Sequence, residues 1–262
     1  MRVKKSRKII DLGVLVLLVV LASILTVAVH VSFLSSIFLF FVIPSAYLMY
    51  RKPSNFKKAI VGGVLLGIVW GFAFDFIAEY NGAWSWSARN SLVFPKLLLG
   101  TVSLDILVWF FFWIFLVIAF YEYFIEYDFD DRISKRVIAS FSCGVITDIF
   151  LIFLYKYFPI ALEIKYAYLV LGLVTLLPFF YVIVRRPSLI PKLMAVLPFF
   201  IFLYLSYELA ALSIGLWDFP GQYLGTIQLL HLTFPLEEFV FWILISGAVV
   251  AAYHELYIDD FR

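Results

Sequence analysis

Long apolar runs follow one another along this chain at residues 9–29, 32–50, 60–80, 101–124, 135–157, 166–184, 190–212 and 235–257, and short polar segments separate them. A helix rising 1.5 Å per residue needs about 20 apolar residues to cross the hydrocarbon of a bilayer, and each run falls in the range that does so. The pattern predicts an all-α integral membrane protein with about eight transmembrane helices. Lys and Arg are distributed unevenly between the segments. The N-terminal cluster Arg2 to Lys8, Arg51-Lys52, Lys57-Lys58, Arg132, Lys135-Arg136, Arg185-Arg186, Lys192 and Arg262 would lie on one side. Arg89, Lys96, Lys156 and Lys165 would lie on the other. Basic residues collect on the cytoplasmic side, so this bias predicts a cell-membrane protein with both termini cytoplasmic. The basic N-terminus followed by an apolar run resembles a signal peptide. The run is long, however, lacks a small-residue cleavage site and leads into another, so it is read as the first membrane helix.

The chain also matches itself. Pro44, Tyr47, Arg51, Pro53, Ser54 and Lys58 recur 134 residues later as Pro178, Tyr181, Arg185, Pro187, Ser188 and Lys192. After a one-residue slip, Gly82, Trp84, Trp109 and Glu122 recur 133 residues later as Gly215, Trp217, Trp242 and Glu255. Acid falls on acid in the same register: Asp75 on Glu208, Asp105 on Glu238, Glu126 on Asp259. The expectation is two parallel four-helix repeats, residues 1–130 and 131–262, about an axis along the membrane normal.

Composition narrows the chemistry. Apolar residues make up 65% of the chain, which excludes an ordinary soluble domain, and the net charge of +2 gives no basic footprint for nucleic acid. The single Cys143 excludes an internal disulfide. There is no Gly-rich dinucleotide fingerprint, no phosphate loop and no Cys/His spacing for a metal, so no cofactor or metal is expected. His30, His231 and His254 are isolated from one another in sequence and are read as surface or interface residues.

The candidate chemistry lies in acids placed where lipid disfavours them. Asp75 and Glu79 fall in the outer part of the third run and Glu208 at the matching depth of the seventh. Asp105, Glu237 and Glu238 fall near the outer ends of the fourth and eighth. A charged carboxylate costs roughly 2.5–3.5 kcal/mol at a helix centre on insertion scales, so such groups face a bundle interior and serve a site. Two readings stand for Glu237 and Glu238: a working acid, or acids that only start a helix behind Pro235. Asp105 with Trp109, and Glu238 with Trp242, are four apart and share a helix face. Glu79 faces Leu212 in the repeat and ranks lower. Glu122 and Glu255 are expected at the cytoplasmic ends, interfacial or paired with basic neighbours. Gly82-Ala83-Trp84-Ser85-Trp86 and Gly215-Leu216-Trp217-Asp218-Phe219 follow the deep acids. Their aromatics suit either a membrane interface or a pocket wall.

In these residues the chain resembles the flavin-independent, membrane-embedded lycopene (carotenoid) cyclases of the duplicated type. The likeness rests on Asp75 with Ala78, Gly82, Trp84, Trp86 and Tyr121-Glu122 in the first half. In the second it rests on Glu208 with Ala211, Gly215, Trp217, Phe219 and Pro235-Leu236-Glu237-Glu238. Where the first half would repeat Pro-x-Glu-Glu it reads Val102-Ser103-Leu104-Asp105, and the second half ends in Tyr253-His254-Glu255. The resemblance implies closure of a terminal six-membered ring on a polyene or isoprenoid substrate, without net redox change. A carboxylic acid would protonate the terminal double bond and a carboxylate would remove a proton afterwards. Glu237 or Glu238 would be the acid, with Glu208 or Asp75 as base or neighbour and Asp105 as a further acid. Trp84, Trp86, Trp109, Trp217, Phe219 and Trp242 would line the substrate and face the cation. Other enzymes of carotenoid synthesis are possible partners besides the lipid bilayer. Competing readings are another membrane terpene cyclase or hydratase, a proton-coupled carrier with helices broken at matching positions such as Pro44 and Pro178, and a scaffold subunit.

Overall fold

The computed structural model describes residues 2–86, 100–126 and 132–259, with side chains from residue 7 onward. Arg89, Lys96, Arg262 and the boundary drawn at residue 130 lie outside the described residues. Seven helices are long and apolar enough to cross a membrane: α1 (Arg7–Val29), α2 (Phe33–Arg51), α3 (Pro53–Tyr80), α4 (Leu104–Ile125), α5 (Arg136–Tyr157), α6 (Ala167–Arg185) and α7 (Pro187–Ser213). An eighth, α8, consists of Glu238–Leu244 and Ser246–Asp259 bent by 55°. Among the described residues this is the one break above 40°, and it has no counterpart in α4. The protein is an all-α, multi-pass membrane protein.

Among the boundaries that differ from the apolar runs, three have a clear local reason. Helix α3 starts at Pro53, because Pro53–Asn55 make a 3₁₀ turn whose proline needs no amide donor. Helix α4 starts at Leu104 because Ser103 caps it, its Oγ accepting from the Ile106 amide at 3.3 Å. Before α8, Thr226–Leu229 (β3) and Leu232–Pro235 (β4) form a hairpin, so Pro235 ends a strand and is not inside the helix.

The tightest packing is between α3 and α4. A Cβ on Gly67 would stand 2.8 Å from the Phe110 carbonyl oxygen, so only glycine lets the two backbones approach this closely. Helix α1 packs on α7, and α5 on α3.

Several contacts join positions 133 residues apart. Ser85–Trp86 (β1) pairs antiparallel with Trp217–Asp218 (β2), with Ser85 opposite Asp218 and the Ser85 hydroxyl donating to its carboxylate at 2.5 Å. The Trp109 and Trp242 rings lie 4.9 Å apart. Tyr121 donates to Glu255, while His254 shares a 2.9 Å hydrogen bond with Glu122, so each of these neighbouring positions bonds across to the other half.

Basic helix ends meet acids at one end of the bundle. Asp11 is buried and accepts from Tyr47 at 2.6 Å, from Tyr123, and from Arg51 at 3.0 Å. Lys58 bonds Glu122 at 2.9 Å and Asp259 at 2.5 Å, and Lys192 bonds Glu126. The pairing expected of Glu122 is therefore present. His254 is not a surface residue: it is fully buried between Glu122 and Asp259. Its isolation in sequence concealed this, because its partners lie 132 residues back and five residues on. Glu122, His254 and Asp259 could converge on a metal ion, but the Lys58 ammonium already sits between the two carboxylates.

Candidate functional site

The two Gly-x-Trp motifs acquire a physical meaning at the ends of α3 and α7. Each helix ends in a paired C-terminal cap. Ala83 N–H reaches Ala78 C=O at 2.8 Å and Gly82 N–H reaches Glu79 C=O at 3.1 Å. In the second half Leu216 N–H reaches Ala211 at 3.0 Å and Gly215 N–H reaches Leu212 at 3.1 Å. The cap places Gly82 at φ 64° and Gly215 at φ 68°, left-handed values that a side chain disfavours. The chain then turns back over its own helix. Trp84 donates its indole N–H to Asp75 at 3.0 Å, and Trp217 donates to Glu208 at 3.1 Å. The spacing of acid, Ala, Gly and Trp is thus the geometry of a helix that ends, reverses and bonds its own acid nine residues later.

These two acid–indole pairs face a half-open cavity of about 180 Å³ lined by α3, α4, α6, α7 and α8. Asp75, Glu208 and Glu238 line it, as do Trp84, Trp86, Trp109, Trp217, Phe219 and Trp242. Trp70 and Trp113 complete the wall, so every tryptophan of the chain borders the cavity. The strand pair β1–β2, carrying Trp86 and Trp217, covers the end away from the Asp11 and Lys58 clusters. Tyr223 ties this cover down, donating to the Ala83 carbonyl at 2.7 Å and accepting from Gly221 N–H at 2.9 Å. Burial pushes its phenol up to about 12.

The adjacent glutamates separate. Glu238 lines the cavity and accepts a hydrogen bond from Tyr168 of α6, and its carboxyl lies within interaction distance of Glu208. Glu237 does not line the cavity. One of its oxygens accepts the Leu224 amide at 2.7 Å and pins the loop before the β3–β4 hairpin.

Asp105 is fully buried but also lies outside the cavity wall, although Trp109 one turn on is part of it. Helix α4 opens as a regular α-helix, whereas α8 opens in a wide π-type turn over Glu238–Leu244. Tyr168 escaped the sequence reading because its counterpart 134 residues back is Leu34 and the repeat points away from it. An acid-bonding tyrosine near the start of the sixth run was the available signal.

No family model matches this chain, and neither a curated protein nor a solved structure does. The fold and the cavity define its class: a multi-pass helical membrane protein with a half-open chamber between its helices, walled by aromatic rings and lined by three carboxyl groups.

Proposed function

We propose that the protein is a carotenoid cyclase of the lycopene type. The observation that carries this reading is the convergence of Asp75, Glu208 and Glu238 on one aromatic chamber inside an apolar bundle. Glu238, held by Tyr168, gives its proton to the terminal double bond of a linear polyene. A tertiary cation results, and the neighbouring double bond attacks it to form the ring C–C bond. The cation moves onto the ring, and Glu208, beside Glu238, removes a ring proton as its C–H electron pair becomes the new double bond. One proton enters and one leaves, so substrate and product have equal mass and no oxidant is consumed. Indole faces favour a cation without offering a nucleophile to trap it. The chamber takes the end of a long molecule, and the rest of it lies among the helices or in lipid.

The same proposal takes the halves as parallel repeats. The pairing of Ser85 with Asp218, the contact of Trp109 with Trp242 and the cross-bonded Tyr121, Glu122, His254 and Glu255 support a two-fold relation running from one end of the bundle to the other.

Expression in a host that accumulates lycopene, followed by pigment chromatography and mass measurement, tests the activity. Cyclic pigment of unchanged mass is expected. Pigment heavier by water would make the protein a hydratase, and unaltered lycopene beside well-inserted protein would end the proposal.

A further inference from the structure

The chamber borders α6, where Tyr168, Gly172, Thr175 and Leu176 form its wall. By the sequence repeat, α2 is the counterpart of α6, and its related face is occupied quite differently. Phe41 stands 134 residues before Thr175, and Phe33 stands 134 before Ala167. Both phenylalanines are buried. Phe41 meets the Tyr207 ring at 5.1 Å and the Trp109 ring at 6.2 Å. Phe33 lies 4.3 Å from the Trp86 ring. Tyr207 fills the space further and is held by Ser36 of α2 at 3.1 Å. On the α8 side of the chamber stands Ser246, whose counterpart 133 residues back is Trp113, bonded to Tyr204 at 2.7 Å.

We infer that the doubled chain works through a single chamber: the face against α2 is closed by Phe33, Phe41 and Tyr207, and the face against α6 is kept open by the small residues at 175 and 246. Thr175 is then a size-determining position. Its hydroxyl is already satisfied by the Gly172 carbonyl at 2.8 Å, so what it offers the chamber is its small volume. That the occupant is one end of a polyene rests on the cyclase reading, whereas the single chamber does not. Under both, the two ends of a symmetric polyene react in separate visits, and a one-ringed product precedes a two-ringed one.

The test is a titration of the full chain in detergent with a conjugated tetraene fatty acid, read as quenching of tryptophan fluorescence. Because every tryptophan borders the chamber, an occupant quenches them directly. Saturation at one equivalent per chain is expected. Thr175→Phe, which installs the residue found at the related position of α2, should weaken binding at least tenfold. Two equivalents bound by the unaltered chain would overturn the inference, and so would wild-type binding by a monodisperse Thr175→Phe protein. The stoichiometry of the unaltered chain decides the matter even if Thr175→Phe does not fold. One equivalent bound with no ring formed in the lycopene host removes the cyclase reading alone, and two equivalents with ring formation remove the single chamber alone.

Discussion

Exchanging the adjacent glutamates one at a time probes the site most directly, because the fold gives them separate tasks. In Glu238→Gln the amide oxygen still accepts from Tyr168, so the wall of the chamber is preserved while the transferable proton is lost. Removing a general acid costs about 10²–10⁴-fold in rate, or roughly 3–5 kcal/mol of barrier. Glu237→Ala does the opposite. It removes the acceptor of the Leu224 amide, and a buried N–H left without a partner costs about 1–3 kcal/mol. Leu224 is 63% exposed, so water reaches this amide and the lower end, about 1 kcal/mol, applies. For a chain of this size that lowers Tm by roughly 2–4 °C. The assay is paired: cyclic pigment formed per inserted protein, and thermal unfolding of the purified variants. Glu238→Gln should be inactive with an unchanged Tm, and Glu237→Ala active with a lowered one. An active Glu238→Gln protein, or an inactive and stable Glu237→Ala protein, would refute the assignment of Glu238 as the acid.

Four further outcomes follow from named contacts. Trp84→Phe and Trp217→Phe each keep a ring but lose the N–H that holds an acid. A hydrogen bond to a charged group contributes about 1.5–3 kcal/mol, so ring formation should fall by about 10–100-fold for Trp217→Phe, whose acid adjoins Glu238, and by less for Trp84→Phe. Tyr168→Phe should lower activity by a similar factor while leaving tetraene binding intact; equal losses of both would make Tyr168 a wall residue only. Lys58→Met leaves the buried Glu122 and Asp259 facing each other across His254 without the ammonium, an excess of negative charge that should destabilise the protein by about 3–5 kcal/mol; thermal unfolding within 1 kcal/mol of the unaltered chain would deny that the cluster holds the helix ends together. The raised phenol of Tyr223 gives the cover a pH limit. The folded state keeps that proton where an unfolded tyrosine, near 10, has lost it. The cover's contribution is therefore whole below pH 10 and disappears as pH rises through about 12. A tryptophan-fluorescence titration should show this loss, and Tyr223→Phe should abolish it.

Membrane character and the seven or eight apolar helices were legible along the chain, as were the acids and several of the aromatics that border the chamber, because lipid imposes length and polarity on every helix separately. Such constraints are local and leave a one-dimensional trace. The acid, Ala, Gly and Trp spacing was readable for the same reason: a helix, its cap and the returning indole all lie within ten residues. Only the tertiary structure could separate Glu238 from Glu237, since one residue of helical rotation sends one carboxyl into the chamber and the other to the Leu224 amide. It also excluded Asp105 from the wall, introduced Tyr168 from a helix outside the repeated motifs, and buried His254 among partners far away in sequence. The asymmetry between the halves belongs to the same level. Phe41 and Thr175 read alike as apolar-run residues, and their difference matters only where opposing helices leave, or do not leave, a space between them.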